Sequence, residues 1–233
     1  MTDATRAAWA ELAALPKPAL KDLFAAGDRL GAFSSALALP GGTIRFDWSK
    51  THLDAAHVAA FEDLATAAGF AERRAAMFAG EHINTTEDRA VEHTALRGVG
   101  RETSVEEAFA LHMRMKSLVE AIHAGALGEV RHLIHIGIGG SALGPALAID
   151  ALTRDEAKVA VHVVANIDGC ALEEAFRACD PATTLVAVAS KTFTTTETMT
   201  NAQSALDWLT QSGVADPYGR VVALTAYPDK AVE

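Results

Sequence analysis

Val130-Arg131-His132-Leu133-Ile134-His135-Ile136 runs straight into Gly137-Ile138-Gly139-Gly140-Ser141-Ala142-Leu143-Gly144-Pro145. A short apolar, β-branched run that ends in glycines and gives way to a helical segment over 143–152 reads as a strand, a tight loop and a helix. The same alternation recurs three times. Residues 159–165 form a second strand-like run, followed by a helical pattern over 171–178. A third, 184–189, precedes a helix over 197–210, and a fourth covers 220–226. Strands alternating with helices predict a parallel sheet with right-handed crossovers, sandwiched between helical layers. Ligands of such sheets bind beyond the carboxyl ends of the strands, where the helices begin.

Upstream the texture differs. Up to about Gly125 the chain is alanine-rich and reads as helices with short connections. Asp54 is the expected N-cap of a helix burying Val58, Phe61 and Leu64. Ser104 and Glu107 form a capping-box pair before a helix whose Leu111, Met115, Leu118 and Ile122 share a face. Pro16, Pro18 and Pro40-Gly41-Gly42 are the breakers. The expected architecture is α/β: a helical N-terminal segment over 1–125, then an αβα sandwich over 126–233 that is incomplete.

Composition narrows the function classes. Half of the 233 residues are hydrophobic and 21% are charged, which describes a globular chain. The net charge of −10 argues against a nucleic-acid backbone binder. Residues 132–149 contain no charged side chain, but their glycines and Pro145 fit a strand and loop better than a membrane span. The first six residues lack a signal-peptide pattern, so a cytoplasmic location is expected. Cys170 and Cys179, nine positions apart on an expected helix, point to opposite faces and read as reduced thiols. His132 and His135 fall on opposite faces of one strand, and neither cysteine has a partner at ligand spacing. No metal is expected.

Two loops carry the candidate chemistry. The glycines at 137–140 allow a tight turn whose amides converge near a helix start, with Ser141 adding a hydroxyl. No Gly-Lys-Ser/Thr follows, and Ala142 stands where a dinucleotide fingerprint needs its third glycine. A glycine turn that only lets helix and strand pack explains the loop equally well. The second is Ser190-Lys191-Thr192-Phe193-Thr194-Thr195-Thr196-Glu197-Thr198. Several hydroxyls beside one lysine suit a phosphate group. N-capping by Thr194 with Glu197 accounts for only one of those hydroxyls. Two such loops on one sheet predict a phosphate site for a small polar metabolite. The block 84–97 reads as a capped helix start with Arg89, His93 and Arg97 on one face, and a solvated face is the simpler reading of it.

Taken together, Phe46-Asp47-Trp48-Ser49-Lys50, the 84–97 block, Met115-Lys116-Ser117-Leu118, the 137–145 loop and the 190–201 segment resemble the phosphoglucose isomerase family over nearly the whole chain. Ala142 departs from an aspartate common there, Trp48 from a tyrosine, Asp88 from a glycine and Tyr227 from an asparagine. The resemblance implies interconversion of glucose 6-phosphate and fructose 6-phosphate by a cytosolic homodimer of sugar-isomerase-type αβα domains, without cofactor, nucleic acid or membrane. It implies phosphate binding by Gly140, Ser141, Ser190, Lys191, Thr192 and Thr195. It implies no catalytic residue within the chain: the family's Gly-Gly-Arg arginine, glutamate base, ring-opening histidine and late lysine belong to later sequence. The second domain is accordingly expected to be absent and the chain alone inactive. The alternative is a regulatory sugar-phosphate-binding domain without catalysis, for which the helical N-terminal block has no use.

Overall fold

A computed structural model describes residues 1–232; Glu233, the last residue of the expected 126–233 domain, lies outside the described residues. The chain forms two compact units, Met1–Leu111 and His112–Glu233. In the first, helix α1 (Asp3–Ala14) is capped by Thr2, whose hydroxyl accepts from the Thr5 amide. Thr5 in turn donates to the Ala67 carbonyl at 2.9 Å, tying α1 to the end of α4 (Ala55–Ala67). Asp54 caps α4 as its sequence predicts, accepting from the backbone amide of His57 and bonding its ring nitrogen. The buried face differs from the expected one, being built on His57 and Leu64 while Phe61 is exposed.

Helices α2 (Leu20–Ala25) and α3 (Arg29–Ala32) lead into a hairpin of β1 (Ser34–Leu39) and β2 (Gly42–Asp47), which corrects the all-helical reading of this region. Pro40 and Gly41 close it, with Gly41 at φ 98°, the left-handed conformation that glycine supplies at a turn's second position. The small residues of β1 carry little strand propensity, so the turn was the legible part. Arg29 is buried below this hairpin. It donates to the carbonyls of Ser49 (2.5 Å) and Thr51 (2.7 Å) and lies 4.2 Å from the Phe33 ring centroid.

After α5 (Phe70–Phe78) comes the largest correction. Residues 84–89 form a turn instead of a helix start. The Asn84 side chain accepts from the amides of Thr86 and Glu87, and Asn84 and Arg89 pair through their backbones. The competing local bonds of an asparagine defeat the helix. Arg89 pairs with Glu87, and only His93 and Arg97 share the short 3₁₀ turn His93–Arg97. Helix α6 (Glu102–His123) begins before Ser104, whose hydroxyl donates to Glu92 at 2.9 Å instead of capping. Along it Leu111 and Met115 are exposed, so the four-residue seam is not a core stripe.

The second unit holds the parallel sheet. Its strands are β3 (His132–Ile136), β4 (Ala160–Val164), β5 (Thr184–Ala189) and β6 (Val221–Leu224), in the spatial order β4-β3-β5-β6. Every residue of β5 is buried, as a central parallel strand requires. Ile134, Ile136, Val164, Val186 and Val188 face one side, against Leu172 and Ala175 of α8 (Gly169–Ala178) and Ala205 and Leu209 of α9 (Thr196–Gln211). Stacking of Phe176 on Trp208, with centroids 4.5 Å apart, extends that layer. On the opposite face His135 bonds the start of α7 (Gly140–Thr153). The four strands and three helices expected from sequence are present in order. Helices therefore cover both faces of the sheet, and the α/β sandwich is the fold observed.

Candidate phosphate site at the sheet's switch point

The strand order places the site. From β3 the chain passes outward to β4, then returns across β3 to begin β5 on its other side. The reversal falls between β3 and β5, and ligands of open α/β sheets bind in the crevice at that point. The two loops singled out by sequence follow these two strands. Ile136 at the end of β3 is in register with Val188 near the end of β5.

Local sequence shapes the first loop. Gly139 has φ 56° and ψ −122°, a combination closed to side chains. A Cβ on Gly137 would lie 2.7 Å from the Ser141 carbonyl oxygen. Both glycines are thus required by the backbone. That same carbonyl accepts a 2.7 Å hydrogen bond from Nε2 of His135, which is buried and must carry its proton there because a carbonyl only accepts. Gly140 and Ser141 fall in the first turn of α7, so the helix opens three residues before its sequence-expected start. Ala142 is 1% exposed and packs into the base of that turn.

The second loop is held from below. The Ser190 amide donates to the Leu224 carbonyl, while the Lys191 carbonyl accepts from the Ala226 amide and the Thr225 hydroxyl. Phe193 sits at φ 54°, an uncommon conformation for a large residue, and packs against the hydrophobic core. Burial of its ring offsets that local strain, which is of order 1–3 kcal/mol. With the ring anchored inward, the hydroxyls form two pairs. Ser190 and Thr195 are 3.2 Å apart, and Thr192 and Thr194 are 2.7 Å apart. Each pair uses one proton for its mutual bond and keeps one proton able to donate to an anion. Thr195 is the N-cap position of α9, yet no side chain caps that helix, so the Thr194–Glu197 capping box does not form. The Lys191 side chain is exposed.

The roles of three further polar residues escaped the sequence reading. Asn201 is buried and donates through Nδ2 to the Asn166 carbonyl at 2.8 Å, linking α9 to the segment after β4. Thr198 is buried with no partner for its hydroxyl among the described residues. Thr198 and Asn201, three apart and in line with the apolar Ala205 and Leu209 of α9, were the available signal. His135 is the third. Its alternation with His132 already put it on the α7 face, but the bond to Ser141 depends on where the glycine loop turns.

The sequence model described as phosphoglucose isomerase matches residues 47–233, four-fifths of the chain. The chain belongs to the phosphoglucose isomerase family. It is 72% identical over 225 residues to the glucose-6-phosphate isomerase of Novosphingobium aromaticivorans, covering 97% of this chain and 44% of that relative. To the one from Erythrobacter litoralis it is 61% identical, over 100% of this chain and 47% of the relative. A crystal structure of a glucose-6-phosphate isomerase from Chlamydia trachomatis superposes with a TM-score of 0.75 at 25% identity, over 96% of this chain and 44% of that one. The chain thus spans under half the length of the relatives it matches. Among the described residues, no helix is long and apolar enough to cross a membrane.

Proposed function

We propose that the chain supplies the phosphate anchor of an enzyme that interconverts glucose 6-phosphate and fructose 6-phosphate. Gly140, Ser141, Ser190, Lys191, Thr192 and Thr195 bind the phosphate in this reading, and no metal or cofactor takes part. The observation that carries it is the position of both candidate loops at the β3–β5 reversal, in a chain of this family. The Ser190–Thr195 and Thr192–Thr194 pairs offer donors, the first turns of α7 and α9 add amides, and Lys191 adds a positive charge. Together these oppose the chain's overall negative charge locally.

The reaction moves a proton between C2 and C1 through an enediol, which requires a positioned base and stabilisation of the developing oxyanion. Holding the phosphate fixes the far end of the sugar and lends binding energy to its orientation. The base, ring-opening acid and second sugar-isomerase-type domain come from outside these 233 residues. Residues 1–125, helical apart from the 34–47 hairpin, form the lead-in to the first such domain at 126–233, and the whole works as a cytosolic homodimer. By itself the chain binds sugar phosphate without turning it over.

Ser190→Ala combined with Thr195→Ala in the full-length protein tests this. Each charge-assisted hydrogen bond lost costs about 1.5–3 kcal/mol, without strict additivity. Inhibition constants for phosphorylated sugar analogues should rise sharply while those for plain analogues barely change. Equal losses for both would show that these hydroxyls do not read phosphate.

A further inference from the structure

At the opposite, amino-terminal edge of the same sheet lies a cluster that plays no part in the phosphate site. His132 opens β3. His162 sits in mid-β4 and is in register with Ile134, two residues on, so both imidazoles share the α8–α9 face. Cys179 follows α8 and closes over that face. One ring nitrogen from each histidine and the Cys179 sulfur lie within 4.8 Å of one another. The imidazole centroids are 6.1 Å apart.

Two of these polar atoms are orphans. Nδ1 of His132 and Nε2 of His162 are buried and have no hydrogen-bond partner among the described residues. A buried ring nitrogen without a partner is costly, and here there are two, on the histidines that cluster with one thiol. Sequence spacing gave no hint of this. The three residues come from a strand start, a neighbouring strand and a helix end, 30 and 17 positions apart, and only the parallel register unites them.

We propose that His132, His162 and Cys179 form a zinc site. Two imidazoles and one thiolate are a donor set of borderline softness that suits Zn²⁺. Tetrahedral coordination with Zn–N of about 2.0 Å and Zn–S of about 2.3 Å puts donors about 3.3–3.6 Å apart. Side-chain rotations that draw the donors together by up to about 1.2–1.5 Å close the present cluster to that geometry. Water occupies the fourth position, reached past the half-buried histidines. Binding forms the Zn–S bond as the thiol proton leaves to solvent, so one proton is released per zinc when both imidazoles begin neutral. The ion clamps β3, β4 and the end of α8 together. About 13 Å of strand separates it from the phosphate loops, so it acts on the stability of the sheet and not on the sugar.

Cobalt substitution reads the site directly. Co²⁺ added to the intact chain should bind one per molecule, with a thiolate-to-metal charge-transfer band and the visible bands of a tetrahedral ion, and Zn²⁺ should displace it. Cys179→Ser and His162→Gln should each abolish the charge-transfer band or weaken binding by at least about 100-fold, whereas Cys170→Ser leaves both intact. X-ray absorption at the zinc edge of the unmodified chain gives a reading that no variant's folding can confound: one sulfur and at least two nitrogens in the first shell. Failure to bind one equivalent, a first shell without sulfur, or a band that follows Cys170 would overturn the proposal.

Discussion

Gly137→Ala puts one methyl group against backbone that has nowhere to go. The added Cβ would meet the Ser141 carbonyl oxygen at 2.7 Å, Ser141 Cβ at 3.0 Å and the Ser141 carbonyl carbon at 3.1 Å. Ordinary contact begins near 3.4 Å, so the first turn of α7 must retreat by roughly 0.7 Å, the difference at the oxygen. That displacement stretches the 2.7 Å bond from buried His135 to the edge of hydrogen-bonding range. Overpacking of this kind costs about 1–3 kcal/mol, and weakening a buried hydrogen bond adds up to about 1–3 kcal/mol. We expect a net loss of about 2–4 kcal/mol in urea unfolding, together with weaker sugar-phosphate binding, because Ser141 moves with its carbonyl. Gly144→Ala is the control: nothing lies within 4 Å of its Cβ, and alanine within a helix gains about 0.5–1 kcal/mol. A Gly137→Ala protein with unchanged midpoint and unchanged affinity would refute the close approach of loop and helix on which the site rests.

Other perturbations follow from the first unit. Arg29→Met strips two carbonyls of their donor and should cost about 2–4 kcal/mol in denaturant unfolding; a loss under about 0.5 kcal/mol would mean the buried guanidinium is dispensable. Glu92 is held at about 2 by hydrogen bonds from Arg101 and then Ser104, well below the usual glutamate range. A depressed folded value stabilises above the unfolded pKa of about 4.3 and is lost as the pH falls towards 2. Glu92→Gln should therefore flatten the acid limb of the stability profile, and an unaltered limb would contradict the pairing. Asp88 has φ 46° at a turn where the family resemblance expects glycine. Asp88→Gly should raise stability by up to about 1 kcal/mol, and a clear loss in thermal melts would show that its contact with His82 matters more than its backbone.

Legibility followed periodicity. The second unit was readable because β5 is buried on both faces and spells out an apolar run over 185–189, and because β3 and β5 end in an abrupt change to glycine or hydroxyl residues. Those changes also disclosed the candidate site, since residues that turn a chain and residues that bind anions overlap at strand ends. The first unit was less readable because alanine is compatible with almost any environment. The exposed hairpin at 34–47 has no buried face to impose alternation, and its first strand is made mostly of serine and alanine. In the 84–97 block a four-residue spacing of charged side chains looked helical, but the Asn84 side chain took the amides that a helix needs. The Ser104 cap failed for a similar reason: Glu92, twelve residues earlier, captures its hydroxyl. The His132–His162–Cys179 cluster is non-local in the same sense, because strand order decides it and local pattern cannot.

The central claim is that the loop after β3 and the loop after β5 bind one phosphate between them. Titration of isotope-labelled chain with fructose 6-phosphate, followed by amide chemical shifts, tests it most directly. The amides of Gly139, Gly140 and Ser141 should move together with those of 190–195, along one binding curve, while plain fructose leaves both loops still. Movement confined to one loop, two different affinities for the two loops, or an equal response to unphosphorylated fructose would contradict the account.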